Sequence, residues 1–179
     1  MHLQQISAND LSGLSTVRKI RSSHHSKIYD KHDLKNEQLR DSLGIVFLFH
    51  HEGRAVGTFR LVPTQYNLTQ VERVPDIADL IPIPGSWEAQ RFVTAPDFRG
   101  LNNIMPLYRE IAIWLRATPE ITAVAAICNR RVAALLKKTG LKILARNIKL
   151  DNTQSDYFLL SGSVSEICNR LLQHSTKQR

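Results

Sequence analysis

A mixed α/β sheet with helices on both faces is the fold class this sequence predicts, and three observations predict it. Between Trp87 and Leu150, strand-like and helix-like patterns alternate. Upstream, two strand-sized apolar runs are joined by a short glycine-bearing turn, the mark of an antiparallel hairpin. The 179 residues suffice for one core, and 42% hydrophobic with 22% charged residues is the composition of an ordinary globular chain. Strand and helix patterns mixed in this way pack as a sheet covered by helices.

The elements follow in order. Ser7-Ala8-Asn9-Asp10 is a helix start, and Leu11, Leu14 and Val17 follow at helical spacing, with Ile20 and Arg21 less regular. Ser22 to Ser26 interrupts the pattern. From Tyr29 to Asp41 the chain is polar, with Leu34 and Leu39 as its apolar anchors, and reads as mobile or ligand-facing rather than core. Ile45–Phe49 and Ala55–Val62 are the hairpin strands, and Pro63 ends the second. Residues 64–86 carry Pro75, Pro82, Pro84 and Gly85, with a helical turn expected over 76–80; a connection of this length suggests a functional loop.

Residues 87–93 form the next strand, 103–117 an amphipathic helix, and 122–127 a short buried strand. Asn129 caps a helix that Gly140 stops. Strands are expected over 141–150 and 157–160, and Ser163-Val164-Ser165-Glu166 is a capping box opening a last helix through Leu172. Residues 175–179 are expected to fray. No repeat, low-complexity tract or domain boundary is visible, so residues 1–179 are expected to form a single domain.

Composition narrows the function. The net charge of +8 suits an acidic protein or a phosphorylated carrier. The basic residues are dispersed and no arginine-rich tract is interleaved with aromatics, which argues against nucleic acid. No apolar run reaches membrane-span length, and the first residues lack the pattern of a secretory signal. Two cysteines, Cys128 and Cys168, make no disulfide framework, and a cytoplasmic location is expected. The histidine pairs His24-His25 and His50-His51 lack the spacing of metal ligands, so no metal is expected.

The most informative stretch is Trp87-Glu88-Ala89-Gln90-Arg91-Phe92-Val93, a strand with a carboxylate and a guanidinium in its middle. Desolvating such charges is costly unless they are paired or functional. Strict alternation sends Glu88 and Arg91 to opposite faces, so they converge only if the strand is bulged or splayed. An Arg99-Gly100 step then leads into the 103–117 helix, a combination able to hold a phosphate.

Together with Gly57-Thr58-Phe59-Arg60-Leu61, this stretch resembles the acyl-homoserine-lactone synthases, a branch of the GNAT N-acyltransferase fold in which Gly-Thr-x-Arg and Trp-Glu-x-x-Arg-Phe strands recur. The segment Asn129 to Leu141 resembles the GNAT helix ending in lysine, a small residue, glycine and an apolar residue. The resemblance covers roughly residues 17 to 150. It implies a mixed, mostly antiparallel sheet splayed at its middle, and transfer of an acyl group from a phosphopantetheine thioester to an amine, without a permanently bound cofactor. In quorum sensing such enzymes make the signal.

The resemblance also assigns roles. Glu88 is the expected general base, because an α-amine must lose a proton before it attacks a thioester. Arg60 and Arg91 are the catalytic arginines, and Asp30, Asp33 and Tyr29 face the acceptor. Phe92 and Val93 offer main-chain amides to the donor arm, Arg99, Gly100 and Asn102 its phosphate site, and Asn129 a further donor contact. The other reading of Glu88 is a structural partner for Arg60 or Arg91, and of Asp30 and Asp33 solvated loop acids. Ser23 to Tyr29 holds histidines, isoleucine and one tyrosine where the family carries Phe and Trp, so the acceptor is either S-adenosylmethionine or an amino acid. The loop from Arg99 to Asn103 lacks repeated glycines, which suits the single phosphate of an acyl carrier protein better than the diphosphate of acyl-CoA. Acyl-CoA with another amine, and a non-catalytic binding module, are the two alternatives.

Overall fold

The computed structural model describes residues 1–23, 34–74, 79–81, 84–150 and 155–173. Among them seven strands, β1 (His2–Ile6), β2 (Ile45–His51), β3 (Arg54–Pro63), β4 (Ser86–Thr94), β5 (Ala123–Asn129), β6 (Lys142–Lys149) and β7 (Asp156–Ser163), hydrogen-bond in the order β1-β2-β3-β4-β5-β7-β6. The helices are α1 (Leu11–Ser22), α2 (Leu34–Leu43), α3 (Leu101–Arg116), α4 (Arg130–Leu136) and α5 (Val164–Leu172). Pairing is antiparallel for β1–β2, β2–β3, β5–β7 and β6–β7, and parallel for β4–β5. The sheet is mixed and mostly antiparallel, as expected. No described helix is long and apolar enough to cross a membrane.

The chain divides into two compact units, Met1–Val62 with Ala89–Glu110, and Pro63–Glu88 with Ile111–Arg179. In the first, β1 and β2 pair through Ile6↔Val46, and α1 lays Val17 on a core of Ile6, Val46 and Leu48. Strand β1 was not foreseen: its five residues hold only two apolar side chains, Leu3 and Ile6, too few for a visible period. The start of α1 is as expected, with Asp10 capping the Gly13 amide at 2.8 Å, but Leu11 stands 79% exposed and the helix buries Val17 and Arg21 instead. The β2–β3 turn is two residues, Glu52 (φ 50°) and Gly53 (φ 76°), the left-handed pair whose twist suits a hairpin. Phe47 stacks on Phe59 at 5.9 Å and Phe92 on Tyr108 at 4.8 Å.

The expectation for residues 29–41 needs correction over its described part. Residues 34–43 are a helix, and Glu37 and Arg40 are buried at 4% and 5% exposure, while Leu39, read as an anchor, is exposed. Glu37, Arg40 and Asp41 fall at i, i+3 and i+4, one helix face, and that face is polar, which hid the helix from an apolar-period reading. The residue that follows α2, Gly44, has to be a glycine, because a Cβ there would lie 2.5 Å from the Leu61 carbonyl and 2.6 Å from that of Arg40.

In the second unit, Val71, Ile81, Ala125, Ile148 and Leu159 form a core. Strand β4 enters it through Ser86–Glu88, paired with Ala123–Ala125. Asn129 caps α4 through the Val132 amide at 3.0 Å, Gly140 (φ 104°) closes the turn after it, and the Ser163–Glu166 capping box opens α5, all as expected. The turn expected over 76–80 falls largely outside the described residues, as do residues 175–179.

Candidate active site

Arg60 lies in β3, a strand buried from Val56 to Val62, and is itself 0% exposed. Its guanidinium donates to Asp41 Oδ1 at 2.8 Å, to Gln90 Oε1 at 2.6 Å and to both Glu37 carboxylate oxygens at 3.3 Å. Arg91 grips the same carboxylate as a fork, Nε to Oε2 at 3.1 Å and Nη2 to Oε1 at 2.9 Å. Arg40 adds a third guanidinium at 3.0 Å. The structure therefore brings together the two arginines expected from sequence, and the group that joins them is Glu37, which sequence reasoning passed over.

Burial pushes the Glu37 carboxyl up, but the hydrogen bond from Arg91, the charges of Arg60 and Arg91 and the hydrogen bond from Arg60 together outweigh it. The net result lies well below the ordinary 4.5. Arg21 completes the cluster by clasping Asp41 at 2.9 and 3.0 Å, while its Nε and Nη2, and Nε of Arg60, have no hydrogen-bond partner among the described residues. Four guanidiniums thus share two carboxylates among the described residues. Asp30, Asp33 and Tyr29 lie outside the described residues.

Arg91 has φ 52°, the left-handed region that a residue other than glycine rarely visits inside a strand. One such residue interrupts the regular extended backbone of β4 at Arg91 itself. Glu88, 1% exposed, accepts a hydrogen bond on Oε2 from the Val71 amide at 3.1 Å.

The residues expected to hold the donor lie on β4 (Phe92, Val93), at the start of α3 (Arg99, Gly100, Asn102) and at the N-cap of α4 (Asn129). Phe92 packs edge-on to Phe59 at 6.2 Å, and the Val93 carbonyl passes so close to Gly57 that a Cβ there would lie 2.8 Å away, which explains the glycine of Gly57-Thr58-Phe59-Arg60. Gly100 (φ 131°) precedes α3, and its carbonyl takes the Asn103 and Ile104 amides. Arg99, Gly100 and Asn102 are exposed at this helix start. The Asn129 side-chain oxygen is engaged by its own helix. Cys128 carries a thiol pushed up to about 12 by burial, which keeps it protonated and unreactive. Among the described residues no three His, Cys, Asp or Glu side chains gather to hold a metal.

The fold is similar to that of acyl-homoserine lactone and N-acyl amino acid synthases of known structure. No protein-family model and no curated protein matches the chain. Solved structures do. One is a CoA-dependent acyl-homoserine lactone synthase, BjaI, with SAM and isopentyl-CoA, at TM-score 0.69 and 19% identity over 99% of this chain and 90% of that one. The acyl-homoserine lactone synthase LasI matches at TM-score 0.71 and 14% identity, covering 96% and 93%. FeeM, an N-acyl amino acid synthase from uncultured soil microbes, matches at TM-score 0.71 and 10% identity, covering 95% and 99%.

Proposed function

We propose that this protein is an N-acyltransferase moving an acyl group from a phosphopantetheine thioester to the amine of a small amino-acid-like acceptor. The observation that carries the reading is Glu88: a buried carboxylate on β4, with one oxygen held by a main-chain amide, in a fold similar to that of an acyl-homoserine lactone synthase and an N-acyl amino acid synthase. Glu88 takes a proton from the acceptor's ammonium group. The freed amine attacks the thioester carbonyl, the C–S bond breaks, and the departing thiolate leaves as a thiol after taking up a proton. Arg91, with a fifth of its side chain exposed, faces the acceptor's carboxylate, and Arg60, fully buried, braces the cluster. Asp30, Asp33 and Tyr29 are assigned to the acceptor's ammonium. Phe92, Val93, Arg99, Gly100 and Asn102 are assigned to the donor arm, with Asn129 as a helix-capping neighbour of it.

Acyl carrier protein is the favoured donor. The +8 charge complements an acidic carrier, and the Arg99–Asn103 loop has one glycine where a diphosphate would call for several. A second reading keeps the chemistry and takes acyl-CoA, as the name of the CoA-dependent BjaI suggests. The test is release of free thiol by the purified protein from acyl-carrier and acyl-CoA donors, with S-adenosylmethionine and each free amino acid as acceptors, and mass spectrometry of the products. An N-acyl product, lost by roughly 100-fold or more in Glu88→Gln, is expected. Failure of every donor and acceptor to react would leave a binding module.

A further inference from the structure

We infer that Glu72 is a positioning residue for Glu88, acting through a single capped turn in the long β3–β4 connection. The inference rests on the general-base reading of Glu88. Thr69 and Glu72 form a reciprocal box: the Glu72 amide donates to Thr69 Oγ1 at 3.2 Å, and Glu72 Oε2 accepts from the Thr69 amide at 3.1 Å and from its hydroxyl at 2.6 Å. The second carboxylate oxygen, Oε1, takes the Asn67 amide at 3.1 Å, where Asn67 adopts φ 54°. The turn then closes through Arg73 N to Gln70 O at 3.2 Å.

The first amides of any helical turn have no partner within it. Here Thr69 satisfies the Glu72 amide, and the Val71 amide between them is directed onto Glu88 Oε2 at 3.1 Å. Val71 cannot drift, because its side chain is 0% exposed in the core with Ile81, Ala125, Ile148 and Leu159. The ends of the connection are tied as well, since the Thr64 amide and hydroxyl both donate to the Ser86 carbonyl, at 3.1 and 2.9 Å. The chain of constraint runs from the Glu72 carboxylate, through the Thr69 turn and the Val71 amide, to the Glu88 carboxylate. A base held in this way meets its proton in one geometry, and loss of the hold lowers the rate of the step without changing how substrates bind.

The experiment uses the full-length protein with the donor and acceptor pair that gives product in the screen above. Glu72→Ala is expected to lower kcat about tenfold, by the sensitivity of proton transfer to placement, with KM for both substrates within about twofold. Thr69→Val should do the same and Thr69→Ser should retain wild-type kcat. In the Glu88→Gln background, measured at high enzyme concentration, Glu72→Ala should add no further loss. Hydrogen exchange at the Val71 amide should quicken in Glu72→Ala while amides of β5 keep their protection. A tenfold loss that repeats in full on Glu88→Gln, a KM effect in place of the kcat effect, or wild-type kcat in Glu72→Ala while Glu88→Gln is crippled would each overturn this inference alone. Full activity in Glu88→Gln would overturn the general-base reading and this inference with it.

Discussion

Two carboxylates in this molecule are equally deep and differently held. Glu37 on α2 and Glu88 on β4 are 4% and 1% exposed. Glu37 receives guanidiniums from Arg40, Arg60 and Arg91, whereas the bond described for Glu88 Oε2 comes from the neutral amide of Val71. A carboxylate neutralised by several cations is fixed as an anion and holds its neighbours in place, but it is a poor proton acceptor. The Val71 amide fixes the direction of one Glu88 oxygen. Under the proposed function, Glu37 holds the arginine cluster and Glu88 takes part in the reaction.

The sharpest way to break this contrast is to remove each acid. Glu88→Gln keeps the shape and an oxygen for the Val71 amide, so it should lower turnover by about 10²- to 10⁴-fold with stability changed by less than about 1 kcal/mol. Glu37→Ala leaves buried guanidiniums without their shared partner and should lower stability by about 3–5 kcal/mol. Urea denaturation and thiol-release kinetics on both variants decide it. A Glu88→Gln that unfolds, or a Glu37→Ala that is stable, reverses the roles.

Acid exposes the same asymmetry more gently. The pKa of Glu37 in the folded protein lies below its ordinary 4.5, so the stability it contributes is complete above that value and drains away as pH falls toward the folded pKa. Glu37→Gln has no such proton to take up. The stability gap between wild type and Glu37→Gln should therefore narrow steadily below pH 4.5 in urea titrations, and a gap independent of pH would remove the electrostatic account.

How much of this was legible in the sequence follows from what each residue advertises. The hairpin, the capped α4 and the Ser163–Glu166 box announce themselves because their signals are local: consecutive turn residues, a cap three positions from its amide, a glycine at a left-handed stop. Arg60 and Arg91 stand out as charges inside apolar strands. Glu37 was invisible because it sits among polar neighbours, and its importance arises from partners 23 and 54 positions away. The i, i+3, i+4 spacing of Glu37, Arg40 and Asp41 just before a glycine was the available signal. Thr69-x-x-Glu72 is likewise a capping-box spacing, hidden within a proline-rich connection where the sequence after it carries no long apolar helical period.

The strain in β4 offers a finer test of which side of the comparison shapes the strand. Arg91→Ala and Arg91→Gly both lose the fork to Glu37. At most strand positions alanine is the more stable of the two by about 0.5–1 kcal/mol. With φ at 52° the order should invert by about 1 kcal/mol in favour of glycine, measurable by urea denaturation. If alanine is still preferred, the backbone relaxes once the guanidinium is gone, and Glu37 is what imposes the left-handed turn.

The smallest expected effect concerns an ion pair that is shorter than any at Glu37. Arg54 and Asp97 meet at 2.6 Å, yet both side chains are more than half exposed, at 58% and 59%. The hydrogen bond from Arg54 holds the Asp97 carboxyl below its ordinary value, opposed by slight desolvation and aided by the Arg54 charge. In water, the ions lose little solvation on meeting and gain little, and salt screens what remains. Arg54→Ala should leave the melting temperature unchanged within error, while an NMR titration shows the Asp97 carboxyl returning toward its ordinary value. A clear loss of stability would mean that the pair anchors the 3-10 turn Pro96–Phe98 against the β2–β3 hairpin, where the His51 ring already meets Phe98 at 5.2 Å. What distinguishes the two pairs is then the water removed around them, since the contact distances alone rank them in the opposite order.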